Sequence, residues 1–334
     1  MRRIAFALSI MAAPMEATAD TTQNIVDGHI LPRFEALATK TQTLSDVAAL
    51  DCDPSSGILR SAYGNAFDAW ISASHLRFGP TEVDDRAFAL AFWPDSRGAT
   101  PRALETLLAE QDPIAASVAA YGDVSIAARG FYAMEFMLYD DAMMSAGEPN
   151  YHCQLIQTIS ADIAVTAAHI LEDWQSDYLT EMLQPSPNGV YRSEEEVLQE
   201  MFKALSTGLQ FTSESRLGRP LGNFDRPRPT RAEARRSGRS SQHVMLSISA
   251  LRDLALRLAG NDTDLVNKLD IGLLRVGFLL TDLDDPTFAG VSDPQARLKI
   301  EALQLSIDAV RTVVRDELGP TLGVAAGFNS LDGD

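Results

Sequence analysis

The chain has 334 residues, with 28 lysines and arginines against 46 aspartates and glutamates and a formal net charge of -18. That deficit of cations excludes a protein that grips nucleic acid through its phosphates. A content of 46% apolar and 22% charged residues excludes a disordered acidic chain, and the length suggests two domains.

The first element is a targeting signal. Arg2 and Arg3 precede an unbroken apolar or small run over 4–13, and Ala17 and Ala19 supply the small side chains a signal peptidase reads. Cleavage after Ala19 is expected, giving a mature chain from Asp20 and, in a Gram-negative source, a periplasmic protein. Losing two arginines and one glutamate with the leader takes the charge to about -19. The apolar run is too short for a membrane span, which needs about 20 residues.

Export bears on the two cysteines, Cys52 and Cys153. In an oxidising compartment a disulfide between them is favoured over two separate thiols. It would close a loop of about 100 residues, worth about 4–5 kcal/mol in the chain-entropy model.

The remaining elements read as helices. Leu59, Ala62, Tyr63, Ala66, Ala69, Trp70, Ala73 and Leu76 recur at three- and four-residue steps after Pro54-Ser55, which predicts one amphipathic helix. Thr100 before Pro101 predicts an N-cap and first-turn proline. Val124, Ala128, Phe131, Met134 and Leu138 predict a further helix, and 151–182 a long one about 45–50 Å in length. Pro185, Pro187 and Gly189 break the pattern and predict a domain boundary, with an N-terminal bundle over 20–189 and a C-terminal bundle over 190–334. Ser193 and Glu196 form a capping box. An arginine-rich loop over 216–240 follows, then helices over about 241–258, 263–283 and 294–318. No run alternates apolar and polar residues as a half-buried strand does, so the expected class is all-α, two helical bundles. The segment 76–80 echoes 215–220, and 136–140 echoes 278–282, as an internal duplication would produce.

Most catalytic signatures are missing, and His29, His75, His152, His169 and His243 are too dispersed to meet on one helix. One helix stands out. Between Arg129 and Asp140 the only charge is Glu135, and Tyr132 lies three residues before it on the same face. A carboxylate in such an apolar run is either partnered or desolvated with a raised pKa. The second candidate is the stretch 216–239, where eight arginines meet only Asp225 and Glu233. Its end, Arg235-Arg236-Ser237-Gly238-Arg239-Ser240-Ser241, lies at a helix start, where backbone N–H groups also favour an anion. The alternative is a solvated loop whose arginines pair with surrounding acids.

Several segments together resemble the imelysin family: His29-Ile30-Leu31-Pro32-Arg33, Trp70 followed by Leu76-Arg77-Phe78-Gly79-Pro80, the stretch 130–135, the stretch 235–240, and Gly327-Phe328-Asn329-Ser330-Leu331-Asp332-Gly333-Asp334. The resemblance covers nearly all of the mature chain. It implies an exported protein of two helical bundles associated with iron acquisition, in a family with members classed as metallopeptidases. The family signature is G-x-H-x-x-E, and here Gly130 and Glu135 match while the histidine position holds Tyr132. Tyrosine replaces imidazole neither as a zinc ligand nor as a base near neutral pH. The sequence therefore requires no cofactor, although iron or haem on Tyr132 and Glu135 is chemically conceivable.

The resulting expectation is a periplasmic binding protein of iron uptake. Tyr132 would donate its hydroxyl to Glu135 or to a ligand, with Arg77, Arg239 and Ser240 contributing from the two halves. Its partner would be a small ligand, an iron or haem species, or a periplasmic or membrane iron-uptake protein. One alternative is a metal-dependent peptidase or hydrolase, on zinc or iron, using Glu135 with a further ligand from among the dispersed histidines. Another is an assembly factor whose arginine loop docks on a membrane transporter or cytochrome.

Overall fold

The computed structural model describes residues 15–324, with side chains from Asp20 onward. Most of the expected leader and the stretch 327–334 lie outside the described residues. Helix α1 (Met15–Ile25) passes through a widened turn at Val26–Ile30 into α2 (Leu31–Leu50). There follow α3 (Gly57–Ala73), α4 (Ala99–Glu110), α5 (Gly130–Tyr139), α6 (Pro149–Asp173), α7 (Glu194–Gln210), α8 (Ser240–Ala259), α9 (Thr263–Leu283) and α10 (Pro294–Val313). The described residues contain no strand beyond an isolated bridge between Asn223 and Arg226. None of their helices is long and apolar enough to cross a membrane. The chain is all-α.

Helix α2 packs on α3 and α6, and α5 packs on α6. Helix α8 packs on α7 and α9, and α10 packs on α9 and α7. The two groups meet where α3 crosses α8, and α1, although first in the chain, lies against α7 and α8. Their buried side chains form one continuous core, from Phe34 and Trp174 in the first group to Leu251 and Leu303 in the second. Cys52 and Cys153 are joined by a disulfide across a sequence separation of 101 residues, with Cα atoms 5.2 Å apart.

Local capping explains where the helices start. Ser56 caps α3 by accepting from Leu59 N, and Glu148 caps α6 through Asn150 N and Tyr151 N. Helix α6 continues through a widened turn at Trp174–Tyr178 to Leu183, close to the predicted 151–182. Half of the expected capping box forms: Ser193 accepts from Glu196 N, whereas Glu196 reaches back to Arg192 N.

Two predicted starts are corrected. Thr100 is not the cap of α4, because the Asp95 carboxylate accepts from Arg97, Ala99 and Thr100 N–H groups and caps the turn from outside. The helix expected over 124–138 is interrupted at Arg129, which is extended, and α5 begins at Gly130. Gly130 has φ +74, and a Cβ there would collide with the carbonyl oxygens of Ala89 and Leu90. Only glycine lets α5 start so close to that backbone.

Candidate functional site

The site lies where α3, α5, α7 and α8 converge. A cavity of about 320 Å3 is walled by Trp70, Ile71, Phe88, Trp93 and Phe211, and its polar lining includes His75, Tyr132, Arg216, Glu233 and Ser247. Most of its wall is aromatic or aliphatic, with a few fixed polar groups at one side, the usual composition of a small-molecule pocket. Arg77 also lines it, paired with Glu82 and set over the Phe88 ring at 4.8 Å. A second cavity of about 220 Å3 lies on the other side of Tyr132, bounded in part by Glu135, Asp95 and Arg236.

Glu233 is the hub, at 2% exposure. Its Oε1 accepts from the Tyr132 hydroxyl at 2.6 Å and its Oε2 from Arg216 Nε at 2.7 Å. His243 Nδ1 lies 3.3 Å from Oε2 without hydrogen-bond geometry, its ring set edge-on to Phe67 at 4.4 Å between centroids. Burial pushes the Glu233 carboxyl up, but Arg216, His243 and the Tyr132 hydroxyl outweigh it and hold it at about 2. Arg216 is itself buried, projecting from the widened turn Phe211–Leu217 that follows α7. Its Nη1 donates to Ser247 Oγ at 3.2 Å and Thr212 Oγ1 at 3.4 Å, and its Nη2 to Ser74 Oγ at 3.5 Å. The result is a buried ion pair with its remaining donors engaged, the condition for tolerating charge inside a protein.

The expected bond from Tyr132 to Glu135 does not form. The two residues share a face, but the long phenol side chain reaches past its own helix to Glu233. Glu135 turns instead to Ser237, accepting from its backbone N at 2.9 Å and its Oγ at 2.7 Å. Burial raises the Glu135 carboxyl, partly offset by the Ser237 bonds and Arg236. Burial and the neighbouring Glu233 carboxylate push the Tyr132 phenol well above its ordinary range. Tyr132 is therefore a protonated donor. A zinc site built on the signature positions does not fit this donor set, since the phenol proton belongs to Glu233 and Glu135 is tied to Ser237. Among the described residues, no three His, Cys, Asp or Glu side chains converge as a metal centre requires.

The stretch 216–240 is not one long loop but carries short helical turns at Gly218–Leu221 and Pro229–Arg231, and three of its eight arginines form ion pairs. Arg216 pairs with Glu233, Arg236 with Asp140 and Arg239 with Asp68. Arg236 also covers the Phe136 ring at 3.7 Å. Asp68 is on α3 and Asp140 ends α5, so these arginines tie the segment before α8 to the first helical group. Ser240 is buried and donates to the Glu233 carbonyl, which positions the hub from behind. Arg77, Tyr132 and Glu233 thus border the larger cavity, whereas Arg239 and Ser240 act as clamps.

Glu233, His75, His29 and His243 are not among the expected site residues. His29 Nε2 lies 2.8 Å from His75 Nε2, and His29 Nδ1 lies 2.7 Å from Asp253 Oδ2. A signal existed for each of the first three: Glu233 is one of two acids among eight arginines, His75 directly precedes the 76–80 segment, and His29 opens the 29–33 segment.

The imelysin (peptidase M75) family model matches residues 30–314. Among solved structures, the chain is similar to an imelysin-like protein from Psychrobacter arcticum 273-4, with 18% identity, a TM-score of 0.79, and 96% of this chain and 100% of that one covered. It is also similar to a protein from Parabacteroides distasonis ATCC 8503 described as an iron-regulated protein A precursor, with 12% identity, a TM-score of 0.75, and 91% and 96% covered. No curated protein matches the chain. The fold and the long family match together establish that this chain belongs to the imelysin family.

Proposed function

We propose that the protein is an exported member of the imelysin family that binds a small ligand in iron uptake and does not turn over peptides. The observation that carries this reading is the aromatic-walled cavity whose polar side, Tyr132–Glu233–Arg216, is already fully paired. A paired and buried floor recognises shape and a few hydrogen bonds. It offers no activated nucleophile, because Tyr132 is a protonated donor and Glu135 is held by Ser237.

Export is supported by the leader-like segment 1–19, by the disulfide, which is stable outside the reducing cytosol, and by the precursor described for the Parabacteroides protein. The link to iron rests on the family and on the iron-regulated description of that same protein. Its test is growth of the source organism under iron limitation after gene deletion, complemented by wild type or by Ala91→Trp, which fills the cavity. Wild type is expected to restore growth and Ala91→Trp to fail while remaining folded. Equal rescue by both would contradict the cavity's role.

The docking reading has one feature in its favour. Ile271, Leu274 and Phe278 recur on the solvent side of α9, with Ile271 69% and Phe278 73% exposed, an apolar stripe of the kind that meets partners.

A further inference from the structure

The cavity has one polar group whose hydrogen-bonding sense is dictated from outside it. His75 is 6% exposed, follows the C-terminal end of α3, and borders the cavity, while its Nε2 turns away to His29. Gly208 on α7 packs against the His75 Cβ so closely that an added methyl group would stand 3.0 Å from it. Behind His75, His29 is fully buried, and Asp253 on α8 closes the chain at the protein edge, flanked by Arg33 and Arg257 at 3.1 and 3.0 Å.

The proton positions follow by elimination. Burial disfavours charge on Asp253, but His29, Arg33 and Arg257 outweigh it and keep the carboxylate ionised, so it only accepts. His29 Nδ1 must therefore carry the hydrogen it donates to Asp253. Burial also keeps His29 neutral near pH 7, lowering it to about 4 despite the Asp253 bond. A neutral His29 protonated on Nδ1 has a bare Nε2. The facing His75 Nε2 must then be the donor in the 2.8 Å contact. His75 is neutral as well, through burial, His29, Arg33 and Arg216, so its Nδ1 carries a lone pair. Among the described residues no protein donor satisfies that nitrogen.

We infer that the Asp253–His29–His75 chain fixes His75 Nδ1 as the cavity's hydrogen-bond acceptor, and that the cavity selects a neutral, flat aromatic molecule carrying a hydroxyl or N–H donor. This rests on the cavity being a binding site, as proposed above. The aromatic part follows from the walls, which include the rings of Trp70, Phe88, Trp93 and Phe211. Neutrality follows from the cations, because both arginines on the cavity are already matched, Arg216 by Glu233 and Arg77 by Glu82. A carboxylate ligand would face the bare imidazole nitrogen as a second acceptor, while a phenol would donate to it.

Two measurements separate this inference from the reading beneath it. Long-range 1H–15N correlation of the imidazole rings in the ligand-free protein at pH 7 should show hydrogen on Nδ1 of His29 and on Nε2 of His75. Hydrogen on Nδ1 of His75 would overturn the inference without any ligand being added. Phenol and anisole are then titrated while following the fluorescence of Trp70 and Trp93. Phenol should bind at least about tenfold more tightly than anisole, which lacks the donor, and His75→Phe should erase that preference. Equal binding of the two by the wild type would sink the assignment to His75 and leave the cavity reading standing. Binding of neither probe, with the ring protons as expected, would remove the cavity reading and the ligand class with it.

Discussion

Replacing Arg216 by methionine tests whether its guanidinium is what lets the buried Glu233 carboxylate stay charged. The guanidinium sits 2.7 Å from a carboxylate that is 2% exposed. Its removal leaves Glu233 with the Tyr132 hydroxyl and a poorly oriented His243. An uncompensated buried charge of this kind costs about 3–5 kcal/mol. The pH dependence carries a distinctive sign. In the wild type Glu233 is held at about 2, below its unfolded value of about 4.5, so its contribution is present above pH 4.5 and is lost as pH falls toward 2. In Arg216→Met, burial is left in control and the carboxyl rises above its ordinary range, so the folded variant takes up a proton before the unfolded chain does. The penalty should therefore be largest at pH 7 and smaller at pH 5. Urea unfolding followed by circular dichroism at both pH values measures it. Adding Glu233→Gln to Arg216→Met should recover most of the loss at pH 7. A loss below about 1 kcal/mol at pH 7, or a loss that persists in the double variant, would refute the reasoning.

Further outcomes follow from other contacts. Gly130→Ala should cost about 1–3 kcal/mol from the left-handed backbone alone and more from overlap with the Ala89 and Leu90 carbonyls, read as a lowered thermal midpoint or loss of soluble protein. Reducing the Cys52–Cys153 bond, or replacing both residues by alanine, should lower stability by up to about 4–5 kcal/mol, measured by urea midpoints with and without reductant. His29, held at about 4 in the fold against about 6.5 unfolded, takes up its proton later than the unfolded chain does. Wild-type stability should therefore fall as pH drops from about 6.5 to 4, by up to about 3 kcal/mol from this group. His29→Gln should flatten that part of the stability–pH curve.

The helices were legible because their signals are local. Apolar spacing and the Ser193 and Pro294 start signals predicted α7, α9 and α10 nearly to the residue. Starts were misjudged where a distant group intervenes: Asp95 caps α4 from beyond its first turn, and the Ala89–Leu90 backbone forces α5 to begin at Gly130. Tyr132 stood out as a polar residue in an apolar run, but its partner did not. Glu233 is 101 positions away, and nothing in helical spacing links them. The arginine stretch was visible as a charge anomaly, and its resolution into buried and cross-group ion pairs depends on tertiary placement of Asp68 and Asp140. His29 and His75 are 46 positions apart and meet only because α2 and α3 pack side by side.

A site that binds and does not cleave differs from a peptidase in one direct readout. Hydrolysis of an unfolded casein substrate across a zinc titration supplies it, comparing wild type with Glu135→Gln. No zinc-dependent cleavage above background is expected in either protein. Cleavage that saturates at one zinc per chain in the wild type and disappears in Glu135→Gln would contradict binding without cleavage.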